Sequence, residues 1–163
     1  MKQPFQFTIR KARENDHKEV NALYLEWQKY HHKLLPKLLK NPASKTHIKR
    51  GTFINLIKDH DTTAIVAVVD ERVVGLIEVV FDTIDADTEY YKLKRASIDY
   101  LYVLPKYRRH GIGRALVEAG AEWARSKKRT VLSVVVYESN QEAFKLYCKT
   151  KFDSYSIRLN REL

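Results

Sequence analysis

Val103-Leu104-Pro105-Lys106-Tyr107-Arg108-Arg109-His110-Gly111-Ile112-Gly113-Arg114-Ala115-Leu116 is the stretch around which the chain is organised. An apolar run, Ile98 to Leu104, leads into it. Ile112, Leu116, Ala119 and Trp123 lead out of it at one-face helical spacing. A basic, glycine-containing turn therefore joins a strand to a helix. Gly111 and Gly113 read as positions where the backbone turns tightly and approaches a ligand without side chains in the way. The first amides of the helix have no acceptor within it, and the helix dipole behind them favours an anion. Arg108, Arg109, His110 and Arg114 add positive charge. The reading is a phosphate cradle that suits a pyrophosphate.

Two common cradles do not fit. A Walker loop ends in Gly-Lys-Ser/Thr, whereas Arg114 and Ala115 follow Gly113. A dinucleotide fingerprint needs glycine or alanine three residues after the second glycine, and Leu116 stands there. What remains is Arg-x-x-Gly-x-Gly after a strand. It resembles the acetyl-CoA signature of the GCN5-related N-acetyltransferases. The bland alternative is a glycine turn on a basic surface.

A second stretch decides between them. Val131 to Tyr137 reads as a buried strand, and Asn140, Ala143 and Tyr147 then follow as Asn-x-x-Ala-x-x-x-Tyr on a helix. That pattern is also similar to the same family, in the same order along the chain. The resemblance covers roughly residues 62–152. One departure is Lys151-Phe152 where relatives commonly carry Gly-Phe, which makes a left-handed turn after the helix less comfortable.

The composition is compatible. The 163 residues suggest one domain, residues 1–163, with 44% hydrophobic and 31% charged residues. One cysteine, Cys148, excludes an internal disulfide framework and fits a reducing compartment. No apolar stretch approaches a membrane span, and Met1 to Arg10 lacks a signal-peptide pattern. A cytoplasmic location is the expectation. The net charge of +10 invites a nucleic-acid reading. Residues 105–129, however, hold eight Lys/Arg against two acids, so the excess sits on the cradle's own helix. A polyphosphate cofactor explains it as well as DNA would, and no RNP-like or zinc-finger pattern is present. The expectation is no nucleic acid and no membrane.

The remaining elements follow from periodicity. Phe5–Lys11 alternates as a first strand. Asp16-x-x-Glu19 reads as a capping box for a helix to the mid-thirties, carrying Val20, Leu23, Tyr24 and Trp27 inward. A second helix is expected from about Ser44 to His60. Thr62–Val69 and Val73–Phe81 read as a hairpin about Asp70-Glu71-Arg72, and Asp82 to Glu89 as an acidic loop. Lys94–Leu104 is the strand before the cradle. Ser139-x-x-Glu142 reads as the capping box of the last helix, and Tyr155–Leu159 as a last strand. The fold class is α/β. The resemblance implies the GNAT fold, a mixed sheet of about six or seven strands flanked by about four helices.

The resemblance also implies a site. Two parallel strands splay to hold pantetheine, with Leu101, Tyr102 and Val103 along one of them. Amides of Arg109, His110, Gly111, Ile112, Gly113 and Arg114 hold the pyrophosphate beside Arg108. Asn140 bonds the pantetheine arm, with Phe144 among the same cofactor contacts. Tyr147 sits by the thioester sulfur of acetyl-CoA as the acid for the departing thiolate; the alternative is a core aromatic. Asp99 precedes Leu101 and Val103 by two and four residues, so alternation places all three on one face. That makes Asp99 the candidate base, against a solvent-facing carboxylate, with Glu78 a weaker candidate for binding the acceptor amine.

No metal site is expected. His31 and His32 are adjacent and point about 100° apart on a helix, which suits a solvated face or the edge of an acceptor pocket. Cys148 reads as an inert core thiol. The acceptor pocket is expected from residues 24–47 and 82–94. The function expected is transfer of the acetyl group to a primary amine in a ternary complex, with backbone amides near Leu101 polarising the carbonyl. Rivals are a longer acyl donor, a CoA-binding regulatory module without turnover, and a basic nucleic-acid binder. Homodimers are common in the family, but no interface is legible.

Overall fold

The computed structural model describes residues 5–42, 47–84, 93–159 and 161. β1 (Thr8–Lys11) opens the chain, followed by a 3-10 turn at Glu14–Asp16 and α1 (His17–Leu34). Then come α2 (Arg50–Lys58), β2 (Thr62–Val69), β3 (Arg72–Ile84) and β4 (Leu93–Val103). A 3-10 turn at Pro105–Tyr107 leads to α3 (Ile112–Ser126), β5 (Val131–Val134) and α4 (Gln141–Lys149). The strands form one sheet in the order β1-β2-β3-β4-β5. All neighbours are antiparallel except β4 and β5. That exception is what a strand-helix-strand crossover through α3 requires.

Both faces of the sheet are covered. Val20, Leu23 and Tyr24 of α1 and Phe53 of α2 pack on Ala64, Val66, Val73, Leu76 and Tyr102. On the other face, Ile112, Leu116, Val117, Trp123 and Ala124 of α3, with Tyr147 of α4, pack on Ile65, Ala67, Ile77, Val79, Ala96 and Ile98. Each side of β2 meets a helix, which is why its sequence is a nearly continuous β-branched run rather than an alternation. The β2–β3 hairpin closes through two residues, Asp70 and Glu71, at φ 46° and 64°. Both lie in the left-handed region that a two-residue hairpin turn demands.

Several expectations are corrected. The sheet among the described residues has five strands, not six or seven. Residues 155–159 form no strand. β1 starts at Thr8, and α2 is shorter than the 44–60 span. Asp82 to Ile84 continue β3 instead of opening a loop, and residues 85–92 lie outside the described residues. Neither capping box forms. Asp16 accepts from Arg13 N at 2.7 Å and pairs with Arg10, while the last helix is capped by Asn140, not Ser139. Asp16 gives its carboxylate to a guanidinium instead, and Asn140 takes the capping role from Ser139 by accepting from the Ala143 amide at 3.2 Å.

Candidate active site

β4 and β5 are paired only at their beginnings. The ladder runs from Arg95↔Val131 to Ile98↔Val134 and stops. Beyond it, Asp99 to Val103 continue β4 alone on that side, and residues 135–137 leave the sheet. β5 is therefore shorter than the Val131–Tyr137 run suggested. Two parallel strands that separate midway leave backbone groups of Leu101 and Val103 beside an opening.

At the end of that opening lies the turn into α3. Arg109 and Gly111 are both left-handed, at φ 67° and 86°. The first bond of the helix runs from Ala115 N to Gly111 O at 3.0 Å. Among the described residues, no acceptor takes the amides of residues 109 to 114. An unbroken row of amides at a helix start is the donor set a polyphosphate needs. The side chains of Arg109, His110 and Arg114 are exposed around it. His110 stacks on Phe5 with ring centroids 4.1 Å apart. Ile112 contributes only its backbone, because its side chain is buried under the sheet.

The two glycines differ. A Cβ on Gly111 would meet nothing within 4 Å, but the left-handed φ excludes most residues. A Cβ on Gly113 would meet Leu146 Cδ2 at 3.2 Å. Gly113 therefore lets α3 and α4 approach, and the expectation that its missing side chain faces a ligand is corrected. Arg108 is also not a free cation on the cradle. Its Nε donates to Val103 O at 2.9 Å, its guanidinium reaches Glu142, and it lies 5.3 Å from the ring centres of both Tyr30 and Tyr102.

Asn140 is buried, and its side-chain oxygen is committed twice. It accepts from Ala143 N and from the Tyr30 hydroxyl, each at 3.2 Å. Its amide nitrogen is the part left to donate. Phe144, one turn on, is exposed. Tyr147 is buried in the cluster that includes Ile98, Leu101, Val103, Val134 and Val136, the residues of the two separating strands. Burial raises its hydroxyl pKa, and no described residue hydrogen-bonds that hydroxyl. Cys148, expected in the core, is exposed.

The carboxylates are arranged otherwise than alternation predicts. Glu78 pairs with Tyr100 and Val79 with Ile98, so Asp99 is the extra residue of a bulge. Before the bulge, Ala96 and Ile98 face α3; after it, Leu101 and Val103 do, while Tyr100 and Tyr102 face α1. Asp99 therefore does not share a face with Leu101 and Val103 by simple alternation. It is an exposed residue whose carboxyl is pushed up by partial desolvation and by Asp82. Glu78 is buried and accepts a short bond from the Tyr24 hydroxyl. Desolvation raises its pKa, the Tyr24 bond opposes that, and Asp99 adds to it. The Asp99 charge thus acts on Glu78, which lies on the α1 side of the sheet beside Tyr24.

Sequence reasoning missed the rings around this pair. Tyr100 packs on Tyr24 and Trp27 at 4.6 and 4.7 Å, and Trp27 on His31 at 4.0 Å. His47 stacks on Tyr24 at 4.7 Å. His31 is buried, bonds Trp27 O, and is held neutral by desolvation, so it is not a solvated histidine. The available signal was the spacing of Tyr24, Trp27 and His31 on one face of α1. Among the described residues, no group of three or more His, Cys, Asp or Glu could hold a metal, and no helix is long and apolar enough to cross a membrane.

Solved structures share the fold. A mutant of the BH1408 protein from Bacillus halodurans is similar in structure at TM-score 0.87 and 20% identity, covering 96% of this chain and 99% of that one. The aminoglycoside N-acetyltransferase AAC(6')-Iy in complex with CoA gives 0.70 at 13% identity, covering 96% and 99%. The aminoglycoside acetyltransferase meta-AAC0020, from an uncultured soil metagenomic sample and in complex with sisomicin, gives 0.68 at 18%, covering 96% of each chain. These likenesses are of fold. No curated protein matches the chain. The profile of the Acetyltransferase (GNAT) family matches residues 15–152, which take in both the cradle and the Asn140–Tyr147 helix, and the chain belongs to that family.

Proposed function

We propose that the protein is an N-acetyltransferase that moves the acetyl group of acetyl-CoA to a primary amine by direct attack. The observation that carries this reading is the continuity of the β4–β5 opening with the row of unpaired amides at 109–114. Pantetheine fits the first and pyrophosphate the second. Leu101 and Val103 offer backbone groups to the pantetheine amides, beside Tyr102. Asn140 offers its amide N–H, and Phe144 lies on the same helix. Because the Val103 carbonyl already accepts from Arg108, its role there is shared or falls to its amide. The solved relatives in complex with CoA and with sisomicin support an acyl-CoA donor and an amine acceptor.

The acceptor amine must lose a proton before its nitrogen can attack. Glu78, on the ring-lined α1 side with the Asp99 charge acting on it, takes that proton. The nitrogen then bonds to the acetyl carbon as the carbon–sulfur bond breaks, and backbone amides near Leu101 stabilise the charge on the carbonyl oxygen. Tyr147 gives its proton to the leaving sulfur, and the second proton, shed by the acylated nitrogen, restores its hydroxyl. Burial suits that role, since a tyrosine kept protonated is available as an acid throughout the working pH range. The experiment is a panel of amines, including polyamines, amino acids, aminoglycosides and peptide N-termini, assayed for acceptor-dependent release of free CoA thiol. Acetyl-CoA binding by calorimetry with no acceptor turned over would leave the regulatory-module reading. Tight duplex binding without acetyl-CoA binding would overturn the enzyme.

A further inference from the structure

The α1 side of β4 is walled by rings, most of whose polar tips already have partners. From Glu78 the rings follow one another outward. Tyr24 meets Tyr100 at 4.6 Å, Tyr100 meets Trp27 at 4.7 Å, Trp27 meets His31 at 4.0 Å, and His31 meets Tyr137 at 6.0 Å. Tyr137 follows β5, so the wall runs from the buried carboxylate to the far side of the β4–β5 opening. The Tyr24 hydroxyl donates to Glu78 Oε2, and the Tyr30 hydroxyl to Asn140. The Tyr100 hydroxyl lies 3.3 Å from His47 Nε2, and His31 Nδ1 lies 2.9 Å from Trp27 O. What the wall presents is therefore mainly ring face and ring edge. Trp27, Tyr100, His47 and Tyr137 are only partly buried, so some of that ring surface is accessible.

The charge on this side is negative. Desolvation first, and then Glu78 and Asp99, push the hydroxyls of Tyr24 and Tyr100 up. His31 and His47 are held neutral by desolvation. Arg108 sits at the Tyr30 and Tyr102 end and is paired with Glu142. No described residue donates to Glu78 Oε1. Ring faces beside a carboxylate suit one ammonium on an apolar body. Few acceptors remain there for a second ammonium or a set of hydroxyls, and burying those unpaired is costly. We infer that this wall selects a primary amine carried on one flat, apolar body with a single positive charge, its nitrogen toward Glu78 Oε1 and its body along Trp27 and Tyr100. The inference names the acceptor class of the transfer proposed above and rests on that reading for turnover; binding at the wall does not depend on it.

The test uses the full chain with phenethylamine as probe, against spermidine and sisomicin. Calorimetry with saturating CoA reads binding without transfer, and acetyl-CoA in its place gives kcat/KM. Phenethylamine should bind, and be acetylated, at least about tenfold better than either polycation, the scale of one or two ring contacts. Trp27→Leu should weaken phenethylamine binding about tenfold, while Trp27→Phe, which keeps a ring, should retain most of it. Acetyl-CoA affinity and Tm should stay near parental in both, whereas a packing role alone would show in Tm. Should the Leu variant fail to fold, the parent's own ranking of the three amines decides. Preference for either polycation overturns the inference and leaves the transferase standing. So does phenethylamine binding that Trp27→Leu leaves unchanged. Release of no free CoA thiol with any amine overturns the transferase, and calorimetry then tests the wall alone: Trp27-dependent binding of phenethylamine upholds the site, and no binding removes it.

Discussion

Replacing Gly111 by alanine isolates one physical cause. Gly111 sits at φ 86°, and an added Cβ would have no neighbour within 4 Å. No steric clash with the rest of the molecule contributes, so the whole cost is the left-handed conformation, about 1–2 kcal/mol for a residue with a side chain. That cost must appear in one of two places. If the turn keeps its shape, the fold loses it, and for a chain of this length each ~1 kcal/mol lowers Tm by about 2–4 °C. If the turn relaxes instead, the amides of 109–114 lose their alignment. The same energy then appears as weaker acetyl-CoA binding, tenfold for about 1.4 kcal/mol. The assay is thermal unfolding together with calorimetric titration by acetyl-CoA, and the two losses should sum to about 1–2 kcal/mol. Gly113→Ala is the control. It gains up to about 1 kcal/mol of helix propensity while pressing on the flexible end of Leu146 at 3.2 Å. It should stay close to the parent in both measurements. Parental Tm and parental affinity for Gly111→Ala would refute the reasoning. A loss of affinity in Gly113→Ala alone would restore the close-approach reading of that glycine.

Three further outcomes are expected. Lys151→Gly removes left-handed strain at φ 68° and should raise Tm by about 2–4 °C, net of the greater freedom glycine gives the unfolded chain; a lower Tm would mean that the lysine side chain contributes more than its backbone costs. Glu78 is raised above its ordinary 4.5 by desolvation and, after that, by Asp99, so an acidic limb of kcat/KM set by Glu78 lies above that value, with activity lost as pH falls through it. Asp99→Asn should move that limb to lower pH and Glu78→Gln should remove it; a limb that Asp99→Asn leaves in place separates the two carboxylates. Tyr147→Phe should slow the chemical step by roughly 10²–10⁴-fold with little change in acetyl-CoA affinity, as single-turnover kinetics and calorimetry would show. Near-parental turnover in the Phe variant, with loss confined to Tyr147→Ala, would make Tyr147 a packing residue.

The sheet and cradle were legible in the sequence because their signals are local. Thr62–Val69 is a nearly continuous β-branched run because it is buried on both faces, and its bounds match β2. The run from Ile98 to Leu116 reads as strand, turn and helix because Gly111 and the 3.6 period of α3 punctuate it. What failed depended on competition between partners. Asp16 has the spacing of a capping box with Glu19, but Arg10 is six residues away in sequence and beside it in space. The Tyr24–Glu78 bond joins α1 to β3, and nothing in either segment alone distinguishes Tyr24 from an ordinary core ring. Residues 155–159 alternate as a strand should, yet a strand is a relation between two segments, and the described residues supply no second one.

The bulge at Asp99 shows how one residue that periodicity cannot place organises the site. Strict alternation along β4 would put Ile98, Tyr100 and Tyr102 on one face and Asp99, Leu101 and Val103 on the other. The extra residue reverses the parity, so Tyr100 and Tyr102 join the ring-lined α1 side while Leu101 and Val103 turn toward α3 and the cradle helix. A bulge also increases local twist, and the β4–β5 ladder ends at Ile98, the residue before Asp99. The strand thus turns away from its parallel neighbour where its register against β3 shifts. The end of the β4–β5 ladder and the carboxylate that acts on Glu78 therefore fall at adjacent residues. A substitution at Asp99 that keeps the bulge, such as asparagine, alters only the charge. Removing the residue would make the β3–β4 ladder regular and, with Ile98 and Tyr100 then consecutive, leave Tyr100 and Tyr102 on the α1 side and Leu101 and Val103 on the α3 side.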